Sequence, residues 1–150
     1  MSQSQIDPTL NTEHLTHSML KATATLILCG LLTGLYISLV AMKVVTADLS
    51  VVLSSHLNAL LGAFWIAIVA YSLKFCHLSD AKRTWMIRSI VLANFANWFI
   101  TLIKAHLHVA GIELTQDMTN NFIMIALTLF VVLPALVGSI LWIQGLNKKG

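Results

Sequence analysis

Charge is scarce in this 150-residue chain: 10% of its residues are Asp, Glu, Lys or Arg, where a soluble domain carries roughly a quarter. A bigger core cannot explain the shortfall, because a small domain has too much surface to cover. A bilayer as solvent removes the need for charge, and 57% hydrophobic residues with a mean hydropathy of +0.83 agree. Cysteine is nearly absent. Cys29 and Cys76 lie far apart without CxxC spacing, which excludes a disulfide framework and argues against a quinone-linked thiol relay. Both read as small apolar packing residues. Acidic residues are missing from every long apolar run, so the embedded carboxylate of a proton-coupled cation exporter is lacking. The first residues have no basic start like a secretory signal, and no cleaved leader is expected.

Four apolar runs remain: Ala22 to Met42, Leu49 to Leu73, about Thr84 to Ile103, and about Asn121 to Ile143. At 1.5 Å per residue the first covers about 30 Å, the thickness of the hydrocarbon. The chain therefore reads as all-α, an integral membrane four-helix up-down bundle with spans near 22–42, 53–75, 84–103 and 121–143. A polar tail (1–18), in which a surface helix from about Thr12 is possible, precedes the membrane domain (19–146), and a basic end (147–150) follows it.

The net charge of +3 comes from residues between the runs, not along one face. This points to the membrane surface and away from nucleic acid. Lys21, Lys74, Lys82, Arg83, Arg88, Lys148 and Lys149 share one side, against Lys43 and Lys104 on the other. The asymmetry predicts both termini in the cytoplasm of a bacterial-type plasma membrane. Gly30 and Gly34 form a GxxxG, and Gly62-Ala63 interrupts the second run. Such small residues serve packing within the chain or a homo-oligomer contact through these glycines or the second helix.

Polar side chains within a span each need a reason. Asn94, Asn97, Thr101, Lys104 and His108 follow one another at three- and four-residue spacings, a single helical stripe facing inward. The second span opens with Ser54-Ser55-His56-Leu57-Asn58, where either serine is a candidate N-cap. Antiparallel neighbours bring the start of the second helix beside the end of the third, so His56, Asn58, Tyr36, Asn97 and Thr101 are expected to share a pocket. Structural alternatives stand beside that reading. His56 suits a headgroup-level histidine, the asparagines suit interhelical bonds, and Tyr36 suits an interfacial anchor. Trp65, Trp85, Trp98 and Trp142 read as belt or packing residues. His14, His17, His77, His106 and His108 fall in or near wet connections. Pro134 is expected to kink the fourth helix and free the carbonyl of Phe130, with Thr128 or a neighbouring helix restoring the bond.

Leu32-Thr33-Gly34-Leu35, Leu53-Ser54-Ser55-His56-Leu57 through Gly62-Ala63-Phe64, and Phe95-Ala96-Asn97-Trp98 resemble hydroxylaminobenzene mutases. More distantly, the same segments are similar to styrene oxide isomerase. Mutases move a hydroxyl from nitrogen to the ortho ring carbon, and styrene oxide isomerase opens an epoxide with a hydride shift to an aldehyde. The resemblance implies an isomerase acting on a small apolar aromatic substrate, with haem b as Lewis acid. It places His56 as axial ligand and matches Asn97 to a third-helix asparagine. Two positions depart from the pattern. Gly62 stands where styrene oxide isomerase, and the mutases with it, have an active-site asparagine, and Thr101 where styrene oxide isomerase has a catalytic tyrosine; Asn58 and Tyr36 are candidate substitutes.

Two other functions compete with the isomerase. A transporter lacks its embedded acid. A haem-binding electron carrier or non-catalytic subunit would need His106 or His108 as a second ligand beside His56.

Overall fold

The computed structural model describes the backbone of residues 8–147 and side chains from residue 12. It is built of α1 (Pro8–Ala41), α2 (Leu49–Ser72), α3 (Asp80–Leu107), α4 (Met118–Leu127) and α5 (Leu133–Asn147). A 3₁₀ turn (Leu73–Phe75) ends the second span, and a π-helical turn (Thr128–Val132) joins α4 to α5 into the fourth. Four helical stretches are long and apolar enough to cross a membrane. The chain is an all-α, multi-pass membrane bundle with antiparallel neighbours.

The polar stretch before the first span is helical from Pro8 onward, not a separate tail. Leu15, Met19 and Leu20 give it an apolar stripe on the core, and Thr16 returns its hydroxyl to the Thr12 carbonyl (2.9 Å). Residues 1–7 and the basic end from 148 lie outside the described residues.

The second helix starts earlier than its serines imply. Asp48 is the N-cap, accepting from the amides of Ser50 and Val51, so His56 lies two turns inside α2. A carboxylate in extended conformation satisfies two orphan amides at a positive helix end, which a serine further in cannot match. Ser54 instead bonds back to the Ser50 carbonyl (2.9 Å).

Pro134 produces a π-helical turn where a kink with a rescued Phe130 carbonyl was expected. Leu133 donates to the Thr128 carbonyl, five residues back, and Thr128 gives its hydroxyl to Met124 (2.9 Å). Widening one turn accommodates a residue that lacks an N–H.

α1 packs on α2, α2 on α3, and the fourth span on α3, while α1 and the fourth span form no packed interface. The core, with Leu26, Ala63, Ile66, Met86 and Ile90 fully buried, lies among the first three helices. The start of α1 and the end of α5 share one end of the bundle. There the Thr12 hydroxyl accepts from Arg83 (3.2 Å), and the His77 amide donates to the Gly145 carbonyl (2.9 Å). Gly138 fits against Ile90, whose Cγ1 would lie 2.5 Å from an added Cβ.

Candidate functional site

The five residues expected in one pocket fall into three groups. Asn58, Asn97 and Thr101 meet between α2 and α3. The Asn58 amide donates to Asn97 Oδ1 (3.3 Å) and to the Thr101 hydroxyl (3.2 Å). Thr101 is buried, and the two asparagines are half-buried. Tyr36 pairs across α1 and α3 with His106, its hydroxyl sharing a hydrogen bond with Nε2 (3.1 Å).

His56 stands apart and faces α1. Positions 56 and 58 are two residues apart on a helix, about 200° around its axis. The histidine meets the glycines of α1 while Asn58 meets the asparagine of α3. The Nδ1 of His56 lies 2.7 Å from the Gly30 carbonyl. A carbonyl only accepts, so Nδ1 carries a proton, and in the neutral ring that tautomer leaves the lone pair on Nε2. The ring lies in the notch at Gly34, where an added Cβ would come within 3.1 Å of Cε1. Gly30 likewise admits Ala59 and Leu60 of α2, so the GxxxG serves packing within the chain. Ile27 and Leu31, within a turn of Gly30 on α1, and Leu53 and Leu57, within a turn of His56 on α2, are exposed apolar residues.

Sequence reasoning missed a polar ladder that ties the three helices together. Ser55, fully buried, donates to the Trp98 carbonyl (2.9 Å). The Trp98 indole donates to the Thr33 hydroxyl (3.0 Å), which donates to the Cys29 carbonyl (2.8 Å). Ser55 looked like a cap and Trp98 like belt, yet both sit in spans next to recognised polar positions, and that adjacency was the available signal.

The inward stripe of α3 holds for Asn94, Asn97 and Thr101. Asn94 is buried, donates to the Ile90 carbonyl (2.8 Å), and fills the space at Gly62, where an added Cβ would lie 2.6 Å from its Oδ1. Lys104 reaches the Ala110 carbonyl (3.0 Å). His108 leaves the stripe, because it ends α3 in left-handed conformation and is exposed. Neither His106 nor His108 bonds to or stacks on His56.

Outside the spans two groups are perturbed. The Ser50 hydroxyl, then the Val51 amide, hold the Asp48 carboxyl below its ordinary range, with His108 adding a smaller pull. Burial pushes the Cys76 thiol up, partly offset by Ser72 and Arg83, as suits an unreactive packing residue. Among the described residues no group of three or more His, Cys, Asp or Glu is placed to hold a metal ion.

A bundle of membrane spans, with one imidazole held against the glycines of a neighbouring helix and amides gathered between helices, defines a multi-pass membrane protein. The match to known families makes the class specific. The chain belongs to the styrene oxide isomerase family, whose model matches residues 15–146, the more distant of the two families it resembles by its motifs. No curated protein and no solved structure matches it.

Proposed function

We propose that this protein rearranges a small apolar aromatic molecule within the bilayer, an aryl epoxide or an arylhydroxylamine, by an intramolecular shift, with His56 as the ligand of haem b. The observation that carries this reading is the 2.7 Å bond from Nδ1 to the Gly30 carbonyl. It fixes the tautomer and orients the ring as second-shell partners of metal-bound histidines do.

The residues present fit the group. Nε2 has no hydrogen-bond partner among the described residues, the ring rests in a glycine notch, and the surface beside it is apolar. When bound, the haem supplies Lewis acidity toward the substrate oxygen. The chain's own residues do the rest. Gly30 and Gly34 hold the imidazole, while the apolar seam excludes water that would capture a developing cation. Asn58, Asn97 and Thr101 form a hydrogen-bonding set on the opposite side of α2, suited to orienting a polar substrate group or the helices that bear the histidine. Tyr36, bonded to His106, is a further candidate at the far edge. No Asp or Glu lies deep in any span, and an internal rearrangement needs no net proton donor or acceptor.

The family match favours the epoxide, and the resemblance of the motifs to the mutases favours the hydroxylamine; Gly62 departs from the pattern of both, and Thr101 from that of styrene oxide isomerase. We further place the protein in a bacterial-type plasma membrane with both termini cytoplasmic. Assembly with a second copy would use the outward face of α2 (Leu53, Leu57, Leu61), since α2 of the same chain occupies the α1 glycines.

Detergent-purified protein loaded with haem should show a Soret band that His56→Ala removes, and it should convert an arylhydroxylamine to an aminophenol or an aryl epoxide to an aldehyde. A spectrum unchanged by His56→Ala would sink the ligand assignment. A low-spin bis-histidine signal in electron paramagnetic resonance would favour an electron carrier instead.

A further inference from the structure

At the end of the bundle where α1 begins and α5 ends, Arg83 is drawn under the α2–α3 connection, with 13% of its side chain exposed. Its Nη1 donates to the Thr12 hydroxyl (3.2 Å) and its Nη2 to the Cys76 carbonyl (3.4 Å). Both acceptors are neutral. Among the described residues the carboxylate in ion-pair range is Asp80 at 3.7 Å, which is 79% exposed and stands largely in water. Nε is buried and has no hydrogen-bond partner among the described residues. An enclosed guanidinium with one idle donor and a weakly screening carboxylate calls for an anion.

The space beside it is a cavity of about 520 Å³ that also takes in Lys74 and His77. It adjoins a cleft of about 410 Å³ between α1 and α2, floored by Leu20, Ala70 and Tyr71, and the two share Thr12, Glu13 and Lys74. Lys74 follows the end of α2 and Arg83 lies in the first turn of α3, so the polar cavity is level with the headgroups. Ala70 lies about one turn deeper and the cleft descends along the acyl region. A cationic, donor-rich mouth above an apolar slot has the shape and polarity of a phospholipid.

We propose that this groove binds an anionic phospholipid of the protein's own membrane. Arg83, Lys74 and His77 take the phosphate, and an acyl chain lies against Leu20, Ala70 and Tyr71. Exposed Glu13 lines both spaces and weakens the anion preference. The site is independent of the His56 seam, and its success or failure leaves the isomerase reading untouched.

The test measures thermal unfolding of the delipidated full-length protein with added phosphatidylglycerol, phosphatidylcholine or inorganic phosphate. A ligand that binds the folded state raises the melting temperature. Phosphatidylglycerol should raise it by several degrees more than phosphatidylcholine. Lys74→Gln and Arg83→Gln should each cut that difference by at least half, Glu13→Gln should enlarge it, and Lys82→Gln, outside the groove, should leave it. Should Arg83→Gln fail to fold, Lys74→Gln and Glu13→Gln still decide. Equal shifts with the two lipids, or a difference unmoved by Lys74→Gln and Glu13→Gln, would overturn the proposal, as would inorganic phosphate alone reproducing the whole shift.

Discussion

Two glycines control two polar side chains, and each pair can be separated by adding one methyl group. Gly34→Ala places a Cβ 3.1 Å from His56 Cε1, so the ring must give by a few tenths of an ångström, which disturbs its bond to Gly30. Haem retained after reconstitution should fall several-fold while the helical circular dichroism persists; wild-type retention would refute the cradle. Gly62→Ala meets Asn94 at 2.6 Å and should cost about 1–3 kcal/mol of stability by overpacking. Asn94→Ala should relieve most of that cost, so the double variant unfolds at higher denaturant than additivity demands. Asn58→Ala removes the donor to both Asn97 and Thr101, and unfolding should show a loss of roughly 0.5–2 kcal/mol, as for interhelical bonds in lipid.

At the level of the helix, the start of α2 depends on one carboxylate. Asp48 titrates below its ordinary value because the Ser50 hydroxyl and two amides favour its charged form. The folded value is thus lower than the unfolded one. Its stabilising contribution is complete above the ordinary carboxylate range and is lost as pH falls through the lowered folded value. Melting temperatures of wild type and Asp48→Asn should differ near neutrality and converge in acid; parallel curves would remove Asp48 from that role. Element ends were the least legible part of the sequence. Ser54 and Ser55 have the right chemistry for a cap, but the amides needing one belong to Ser50 and Val51, and Asp48 is the side chain in reach. Pro134 was legible as a disturbance. Its form was not, because a kink and a widened turn both relieve a missing N–H.

For the whole molecule, the bilayer made the architecture readable: hydrocarbon thickness sets span length, and short connections force antiparallel neighbours. The inward stripe of α3 was readable for the same reason, through its spacing. What one chain's pattern could not give was rotational phase between helices. Depth alone grouped His56 with Asn58, Asn97, Thr101 and Tyr36, whereas facing direction divides them among α1, α3 and the Tyr36–His106 pair. The proposed sidedness has its own check. A C-terminal fusion to a reporter active only in the cytoplasm should be active, and one that works only outside should be silent; the reverse would invert the assignment.

The fourth span packs chiefly on α3, with Trp142 and Gly145 touching the end of α2 and the connection after it, and 11% of its most apolar window is buried against 39% for the third. Most of its circumference therefore answers to the oil around it and hardly to protein shape. A library shuffling Leu, Ile, Val and Phe across its outward positions should yield folded protein almost throughout, while larger residues at Gly138 and Gly145 would be purged.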